Sequence, residues 1–515
     1  MAKFVAYFLV LSLSMAFRVA TSDPILSCSQ TPYPHVCSSM VSTSRQVAQA
    51  KTQSGFRSMV LHAAMDLAVQ AHEVALIIDT SSLDMKAKAA WADCLKFSKD
   101  TIKQINRSMG STSKDDVQTW LSAAMTNQQT CRNGFNDLGS SFPLGSPFLS
   151  YNISELLSNC LAINKAMTPK KSGGNPRFLS DGFPKWMSTT ERKLLQSSNT
   201  NADLVVAKDG SGDYTTISEA IAAATIRSNG TSRFVIHVKA GIYNETVETS
   251  MNNLMITGDG IGATIITGNK NFHDGFPTAQ TATFAVSGDG FIARDMTFQN
   301  TAGPEKEQAV AFLSSSDRSV LYQCSFEGYQ DTLCALTQRQ FYRNCDIYGT
   351  IDFIFGDAAA VFQQCNIYVR KPMTGQANTV TAQGRATPDE NTGIIIHDSV
   401  VTAAPDLKPV QGSFQTYLGR PWREYSRTVF MKTSLDSVID PAGWLQWNAS
   451  GFYLSTLYYG EYMNTGAGAN TGGRVKWPGY HVITSASEAS NFTVGSFLGG
   501  DSWIPATGVP YISGL

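Results

Sequence analysis

Apolar residues recur at helical spacing in the first third of the chain. Across residues 56–80 the apolar positions step by four and three residues, as expected for a helix with one buried face: Val60, Ala64, Leu67, Ala71, Val74 and Ile78. Related patterns cover residues 89–105, 115–128 and 153–166. These segments predict an all-α N-terminal domain with the form of a four-helix bundle.

From Asp203 onwards the pattern changes to short strands separated by Gly and Asn turns. Strands are predicted at residues 234–238, 254–257, 264–267, 282–286 and 291–298. A β-sandwich also contains many short strands. Similar strands recur here every 20 to 28 residues, however, which favours an all-β parallel β-helix, a solenoid in which each repeat forms one coil.

One helix signal interrupts the predicted strands. Thr216-Ile-Ser-Glu219 offers a capping box ahead of an alanine-rich run at residues 220–224. A helix at this place is expected to cap the open end of the β-helix and protect its edge.

The two patterned regions are separated by a stretch without clear periodicity. Residues 168–200 are rich in Pro, Lys, Gly and Ser, which is typical of a linker, and Arg192-Lys-Leu-Leu195 places a dibasic pair within it. The predicted organisation is a signal peptide at 1–22, a helical pro-region at 23–170, a linker at 171–200 and a β-helical domain at 201–515.

The first 22 residues fit neither domain. Lys3 precedes an apolar run at residues 4–17, and Arg18-Val-Ala-Thr-Ser22 offers small residues for cleavage, which is the layout of a secretory signal peptide. An uncleaved anchor is the alternative, but the run is short for a spanning helix, which needs about 20 apolar residues. We therefore expect a secreted protein with no membrane segment after cleavage.

Six sequons agree with passage through the secretory pathway, where Asn-X-Ser/Thr accepts N-glycans. They lie at Asn106, Asn152, Asn229, Asn244, Asn448 and Asn491. Each is a candidate glycosylation site.

The net charge of −1 conceals opposite charges in the two halves of the chain. Residues 1–195 hold 20 Lys and Arg and 13 Asp and Glu, a net +7, whereas residues 196–515 hold 20 and 28, a net −8. Opposite charges favour association of the two domains, although they do not define an interface. The acidic second half argues against a nucleic-acid partner.

Two carboxylates in matching settings are 21 residues apart. Asp331 lies in Gly-Tyr-Gln-Asp-Thr-Leu at residues 328–333, and Asp352 lies in Gly-Thr-Ile-Asp-Phe-Ile-Phe-Gly at residues 349–356. Because this separation is one coil of the predicted solenoid, both acids are expected on the same face. Two close acids are not both ionised cheaply, so one is expected to keep its proton while the other pairs with an Arg such as Arg420.

Four short motifs follow one another in the second half of the chain. They are Gln-Ala-Val-Ala at 308–311, Gly-Tyr-Gln-Asp-Thr-Leu at 328–333, Ile-Asp-Phe-Ile-Phe-Gly at 351–356 and Leu-Gly-Arg-Pro-Trp at 418–422. In this order they resemble the signatures of plant pectin methylesterases (pectinesterases), and the resemblance implies a right-handed parallel β-helix from about Asp203 to the C-terminus. The preceding chain resembles the inhibitor-like pro-region of many plant members, similar to inhibitors of pectin methylesterase and invertase.

The resemblance implies roles for five side chains in hydrolysing the methyl ester of galacturonic acid in pectin. Asp352 is the nucleophile, and Arg420 orients it. Asp331 gives a proton to the leaving methanol and then activates water, while Gln308 and Gln330 donate amide N–H groups to the oxyanion. The implied products are methanol and acidic pectin, and no metal or organic cofactor is needed.

The resemblance also implies a substrate cleft with aromatic walls. Besides Gln308 and Arg420, the implied substrate contacts are Trp422, Phe355, Tyr417 and Trp447, whose flat rings can stack on sugars. Core packing is the alternative for these rings.

The chain departs from the family at two cleft positions. Cys334 stands where the family commonly has Tyr, and Ala279 stands where some members place an aromatic residue. Fewer stacking faces suggest altered subsite binding rather than lost chemistry. Cys334 is also a candidate solvent-accessible thiol.

Nine cysteines leave at least one unpaired. In agreement with the inhibitor family, Cys28 and Cys37 are expected to close a small hairpin, and Cys94 and Cys131 to join two helices. Cys324, Cys345 and Cys365 recur at 21 and 20 residues and are expected to stack inside the β-helix as core thiols, with a disulfide or a metal site as the alternative. Cys160 has no assigned pairing.

The implied partners are methyl-esterified homogalacturonan, a protease that cuts at residues 192–195, and the protein's own pro-region or a separate inhibitor protein. The mature protein is expected to be a monomer in the cell wall. Pectate lyases and polygalacturonases also use β-helices with clustered carboxylates, but a lyase needs a calcium-binding acidic cluster and a glycosidase works without paired glutamines. A non-catalytic wall-binding protein with an inhibitory helical domain is the third interpretation. The intact Gln, Asp and Arg positions argue against it.

Overall fold

The computed structural model of the protein describes residues 27–43, 52–143, 145–167, 202–448, 451 and 453–515. The predicted signal peptide at 1–22 and linker at 171–200, with its dibasic site at 192–195, lie outside the described residues. Residues 27–167 are called the helical domain below, and residues 202–515 the β-helical domain. The asparagines of all six sequons are exposed.

Six α-helices lie in the described part of the helical domain. They are α1 (Pro34–Thr43), α2 (Gln53–Ile77), α3 (Met85–Gly110), α4 (Lys114–Asp137), α5 (Pro147–Ser150) and α6 (Ile153–Ala166). The three longest each begin at a side chain that accepts a backbone N–H of the first turn: Thr52, Asp84 and Ser113. The four segments predicted as helices are all helical, with α3 and α4 extending beyond the predicted bounds.

The core of the helical domain confirms most of the apolar stripe predicted for residues 56–80. Val60, Ala64 and Leu67 of α2 are buried, together with Ala71, in one apolar cluster with residues of α4 and α6. Ile78 is only partly buried because α2 ends at Ile77 and the chain turns extended there. The stripe therefore ends earlier than its sequence pattern.

Two disulfides tie the helical domain together, as expected. Cys94–Cys131 joins α3 to α4, and Cys28–Cys37 closes a nine-residue separation. The latter encloses a 3₁₀ turn and the start of α1 rather than the predicted hairpin. The backbone groups here form helical hydrogen bonds with near neighbours in the chain, such as Cys37 N–H to Tyr33 O at 3.1 Å. Cys160 is a buried free thiol in the bundle core.

By length and composition α2 is apolar enough to cross a membrane, which the sequence patterns did not indicate. A buried core helix passes the same test. Ten of its residues are buried inside the bundle, which accounts for its apolar composition.

The β-helical domain contains 24 described strands. They are β1 (Leu204–Val206), β2 (Phe234–Val238), β3 (Gly241–Asn244), β4 (Val247–Thr249), β5 (Leu254–Thr257), β6 (Thr264–Gly268), β7 (Phe284–Val286), β8 (Ile292–Asn300), β9 (Phe312–Ser314), β10 (Ser319–Glu327), β11 (Leu333–Ala335), β12 (Arg339–Arg343), β13 (Asp346–Gly349), β14 (Ile354–Gly356), β15 (Ala359–Gln363), β16 (Asn366–Val369), β17 (Asn378–Gln383), β18 (Gly393–His397), β19 (Val400–Ala403), β20 (Thr416–Pro421), β21 (Arg427–Met431), β22 (Ser434–Leu435), β23 (Tyr458–Tyr462) and β24 (Tyr480–Val482). Each predicted strand overlaps one of them.

All named strand pairings in the described residues are parallel, which confirms the parallel β-helix. One sheet has 17 strands, and the other has seven in the order β20-β17-β14-β11-β9-β7-β4. Each strand of the seven-stranded sheet pairs with the strand one coil away. This sheet positions the candidate site.

The interior of the β-helix is filled by side-chain ladders. Phe298, Phe326, Tyr342 and Phe362 follow one another along the axis, with Phe298 and Phe326 stacked at 5.6 Å. Cys324, Cys345 and Cys365 are buried free thiols of the same core. The prediction of stacked core thiols is therefore confirmed, and no disulfide joins them in the described structure.

A helix closes one end of the β-helix, as predicted. Helix α7 (Ile217–Arg227) begins at Thr216, whose hydroxyl accepts the N–H of Glu219. Its apolar face packs in the core through Ile217, Ala220 and Ala224. The C-terminal segment, with α8 (Ala486–Ala489) and α9 (Val494–Leu498), packs on the outer face of the large sheet.

Candidate active site

The two aspartates predicted to stack do lie at equivalent positions of adjacent coils. Leu333 of β11 pairs in register with Ile354 of β14, and each follows its aspartate by two residues. The N–H of Asp331 donates to the carbonyl of Ile351 at 3.0 Å. Both aspartates have left-handed backbones, φ 61° at Asp331 and 51° at Asp352, a conformation that Asp adopts more readily than most residues. The turns before the two strands thus aim both carboxyl groups into one cavity.

Asp352 is held by a two-pronged arginine contact. Arg420 lies on β20, two strands away in the small sheet, and its Nη2 and Nε donate to Oδ2 and Oδ1 of Asp352 at 2.6 and 2.8 Å. Thr379 on β17 donates its hydroxyl to Oδ1 at 2.6 Å and accepts the N–H of Asp352 at 2.9 Å. A carboxylate with this many donors is fixed in orientation.

Asp331 has a different environment from Asp352. Burial raises the pKa of Asp331 well above its usual range, and the nearby charges of Asp352 and Asp137 raise it further, against the opposing effect of Arg420. Asp331 therefore keeps its proton at pH values where an exposed Asp is ionised. One acid is set up to donate a proton, and its neighbour is oriented by a cation.

Gln308 and Gln330 line the cavity beside the two aspartates. Each is held by a backbone hydrogen bond, since Gln308 O accepts Phe272 N–H at 2.9 Å and Gln330 O accepts Ala309 N–H at 3.2 Å. The Oε1 atom of Gln308 is buried and has no hydrogen-bond partner among the described residues. The acceptor end of this amide is thus uncommitted in a cavity that contains a nucleophile candidate.

Three of the four predicted aromatic residues line this cavity: Trp422, Phe355 and Trp447. Phe355 and Trp422 pack edge to face with centroids 6.0 Å apart, and the guanidinium of Arg420 lies 4.3 Å from the Trp447 ring centre. Tyr417 on β20 is buried and is not among the described residues that line the cavity.

The two small residues at family aromatic positions are also in the wall of the cavity. Ala279 and Cys334 both line it. Cys334 is only 3% exposed, so the expectation of an accessible thiol is wrong for this structure. It lies in one apolar cluster with Phe97, which the helical domain contributes.

The helical domain covers the cavity. Besides the residues of the β-helical domain, the cavity is lined by Asp93 of α3 and by Thr130, Asn133, Gly134 and Asp137 of α4. Its volume is about 160 Å³. Sites for drug-sized ligands have about 300–1,000 Å³, so the space left over the two aspartates is smaller than a typical ligand site.

An ion-pair network holds α3 and α4 on the β-helical domain. Arg107 pairs with Asp289 at 2.8 Å and lies 3.6 Å from Asp317, with its guanidinium 4.2 Å from the ring centre of Trp120. Trp120 Nε1 donates to Asp317 at 3.1 Å, and Arg339 pairs with Asp317 at 2.7 Å. Although burial acts in the opposite direction, Arg339 lowers the pKa of Asp317 to about 2.

Further polar contacts extend this interface along both helices and to α6. They are Thr126 with Asp357 at 2.7 Å, Gln118 with the carbonyl of Asp389 at 2.5 Å, Lys165 with Asp389 at 3.0 Å, Gln280 with Asp93 at 2.8 Å, Lys96 with Glu248 at 2.5 Å, Arg339 with Asp116 at 2.7 Å, and Asn133 with Arg423. The two domains are therefore docked over a broad surface that includes the cleft.

The sequence pattern did not indicate Thr379 or the covering residues of α3 and α4. Thr379 lies 27 residues after Asp352 on the next coil, so the same one-coil spacing argument could have found it. The covering residues carry no comparable signal, because their roles depend on how two domains dock.

Two family models match the chain, one in each of its two domains. The family model described as Pectinesterase matches residues 203–501, and the one described as Plant invertase/pectin methylesterase inhibitor matches residues 25–163. The chain is 53% identical to "Probable pectinesterase/pectinesterase inhibitor 17" of Arabidopsis thaliana, over 99% of both chains. It is 52% identical to "Pectinesterase 2" of Citrus sinensis, over 95% of this chain and 94% of that one.

Solved structures match the β-helical part. "Pectin methylesterase from Carrot" is 55% identical with a TM-score of 0.61, and the match covers 62% of this chain and 100% of that chain. A pectin methylesterase from Aspergillus niger is 31% identical with a TM-score of 0.51, over 60% of this chain and 96% of that one. The carrot chain is matched over its whole length by 62% of this chain, a share close to that of the β-helical domain, so we expect this domain to fold on its own.

Proposed function

Since the chain belongs to the pectinesterase family and is a pectin methylesterase by that membership, we propose that it hydrolyses galacturonic acid methyl esters with Asp352 as nucleophile and Asp331 as acid and base. The observation that carries the proposal is the stacked pair itself. One carboxylate is oriented by Arg420, and its buried neighbour has a raised pKa in the same cavity.

In the first step an oxygen of Asp352 attacks the ester carbonyl carbon. The carbonyl oxygen becomes an oxyanion, which the amide groups of Gln308 and Gln330 stabilise, at typically about 3 kcal/mol per donor. The tetrahedral intermediate then expels the methoxy group, and Asp331 transfers its proton to it. Methanol leaves, and the sugar carbonyl remains bound to Asp352 as an acyl-enzyme.

In the second step a water molecule attacks the acyl-enzyme. Asp331, now ionised, removes a proton from this water, which restores the starting state of Asp331. The bond to Asp352 breaks, and the galacturonic acid unit stays in the polymer with a free carboxyl group. Apart from the substrate and water, both steps use only side chains of this protein.

Trp422, Phe355 and Trp447 are proposed to contact the sugar rings once the cleft is open. They line the same cavity as the reacting groups, and rings of this kind pack on the apolar faces of sugars. With Ala279 and Cys334 at family aromatic positions, binding next to the reacting sugar depends more on these three rings.

The experiment that tests the function uses highly methylated pectin and the β-helical domain. Release of methanol with unchanged polymer length is expected. A lyase would instead produce unsaturated ends that absorb ultraviolet light, and a polygalacturonase would produce new reducing ends. Binding to pectin without any of these products would favour the non-catalytic interpretation.

The helical domain is proposed to keep the precursor inactive by occupying the cleft. Its placement over Asp331 and Asp352 and the small volume left there support this role. In the same proposal the signal peptide directs the chain out of the cell, a protease cuts at residues 192–195, and the mature monomer acts on pectin in the cell wall. The exposed sequons are compatible with glycosylation on this route.

Docking of the two domains is expected to weaken as the pH rises. Burial raises the pKa of Asp93, which faces Gln280, Lys96 and Glu248, to about 6. It also raises the pKa of Asp137, which faces Arg423 and Asp331, to about 6. Both side chains become solvated when the domains separate, and their pKa returns towards about 3.9. Docking therefore takes up protons, and the contribution of these two acids is fully present below about pH 4 and is lost as the pH rises through about 6.

The measurement uses the full chain cut within residues 168–201 and analysed by sedimentation at pH 5, 6 and 7. The dissociation constant is expected to increase roughly 10- to 100-fold between pH 5 and 7 and little above pH 7. Exchange of both acids, Asp93→Asn with Asp137→Asn, should flatten this dependence. Equal pH dependence in the double variant would contradict the assignment to these carboxyl groups.

A further inference from the structure

Arg370 contacts the back of the turn that carries two of the proposed catalytic residues. It directly follows β16, and its Nη1 donates to the carbonyl of Gly328 at 2.9 Å. Its Nη2 donates to the hydroxyl of Tyr329 at 2.6 Å, and the guanidinium lies 3.7 Å from the Tyr329 ring centre. Nε lies 3.6 Å from Asp406, and a quarter of the side chain is exposed. One side chain thus holds two consecutive residues.

The turn at residues 328–331 connects β10 to β11 and ends in a left-handed residue, Asp331. It is tight, since a Cβ atom on Gly328 would lie 2.7 Å from the hydroxyl of Thr332. The adjacent coil bonds to its start and end, through Tyr348 and Ile351. In the described residues the carbonyl of Gly328 receives its side-chain hydrogen bond from Arg370.

The turn presents its side chains in different directions. Gln330 and Asp331 line the cavity, whereas Tyr329 does not and instead meets Arg370 on the outer side. Because Tyr329 and Gln330 are consecutive, an anchored Tyr329 ring restricts the rotation of the peptide that carries Gln330. The position of the oxyanion donor is thereby coupled to a contact outside the cleft.

We propose that Arg370 is a positioning residue for the esterase reaction, which holds Gln330 and Asp331 at their working distances from Asp352 through Gly328 and Tyr329. The inference rests on the proposed function. Arg370 is not among the residues that line the cavity, so its effect falls on the placement of the acid and the oxyanion donor rather than on substrate contact. Small displacements of reacting groups, of about 1 Å, cost about 100-fold in rate.

A guanidinium is suited to this contact in a way that an ammonium group is not. Its planar fork donates to two acceptors and stacks on a ring at the same time, whereas lysine offers a single compact charge. Arg370→Lys should therefore restore only part of what Arg370→Met loses. Tyr329→Phe removes the hydroxyl contact and keeps the ring, so its effect should be the smallest.

The chain offers a closely matched control in Arg294. Its side chain is also 26% exposed, its guanidinium lies 5.6 Å from the ring centre of Tyr322, and it pairs with Asp295 at 2.8 Å. Neither Arg294 nor Tyr322 lines the cavity. Arg294→Met thus removes an arginine and a ring contact from the outer surface of the same domain without touching the turn.

The experiment measures methanol release by the β-helical domain and its variants over a range of pectin concentrations and pH. For Arg370→Met, kcat is expected to fall about 10- to 100-fold, with KM changed less than about threefold and the alkaline limb of the kcat profile shifted, because Asp331 has moved. Arg370→Lys should lie between Arg370→Met and the unchanged domain. Arg294→Met should match the unchanged domain.

A merely structural role would appear differently. If Arg370→Met and Arg294→Met lower the melting temperature alike and leave kcat and the pH profile of the folded protein unchanged, the inference is wrong. It is equally wrong if only KM rises. If Arg370→Met does not fold, Arg370→Lys and Tyr329→Phe take its place. Unchanged kcat and pH profiles in both of these variants would then show that the inference is wrong. Absence of methanol release by the unchanged domain would reject the proposed function itself.

Discussion

Asp352→Asn is expected to lower methanol release by the β-helical domain about 10⁴-fold or more. The amide of Asn is a very poor nucleophile, and loss of a nucleophile typically removes most of an enzyme's rate enhancement. Asn is the appropriate replacement because Asp352 has a φ of 51°, a left-handed conformation that Asn tolerates and Ala does not. The hydroxyl of Thr379 retains an acceptor, so the local fold should survive.

Asp398→Asn is a matched control for this substitution. Asp398 also has a φ of 51°, and it accepts a hydrogen bond from Gln364 at 2.9 Å, outside the residues that line the cavity. Methanol release, circular dichroism and melting temperature are recorded for all three proteins. The control should keep nearly full activity. An Asp352→Asn protein that is folded and retains a tenth of the activity would show that the nucleophile lies elsewhere.

Spacing predicted the aspartate pair because the β-helix repeats along its axis. Asp331 and Asp352 are one coil apart, and neighbouring coils place equivalent turn residues side by side. The contact of Arg420 does not follow from the same rule. It lies 68 residues beyond Asp352, across coils of unequal length, so the spacing left the choice of arginine open and the family resemblance assigned Arg420.

The docking of the helical domain was outside the reach of the sequence pattern. Net charges of opposite sign predicted attraction between the halves, but a count of charges does not say that Arg107 meets Asp289 and Asp317. Those acids come from separate turns of the solenoid. The same limit explains Cys334, which the motif placed in the cleft and the docked domain buries.

The full chain is expected to release methanol from pectin at least about 100-fold more slowly than the β-helical domain. In the docked state α3 and α4 line the cavity of about 160 Å³ over Asp331 and Asp352 and occupy space that a bound polymer segment would need. A tethered domain has an effective concentration of about 1 mM, so a dissociation constant of even about 10 µM leaves roughly 1% of chains open. The check is the initial rate per mole of folded protein for the two forms.

Arg107→Glu should raise the rate of methanol release by the full chain at least about tenfold. The new carboxylate would face Asp289 and Asp317 in place of the guanidinium, and repulsion inside a partly buried network is costly. Lys99→Glu, an exposed reversal on the same helix, is the control and should leave the chain inactive. Equal rates for the full chain and the β-helical domain would show that the cleft is open in solution. Misfolding would also make the full chain inactive. A charge reversal at the domain interface would not repair misfolding, however. Recovery of activity by Arg107→Glu therefore identifies docking as the cause.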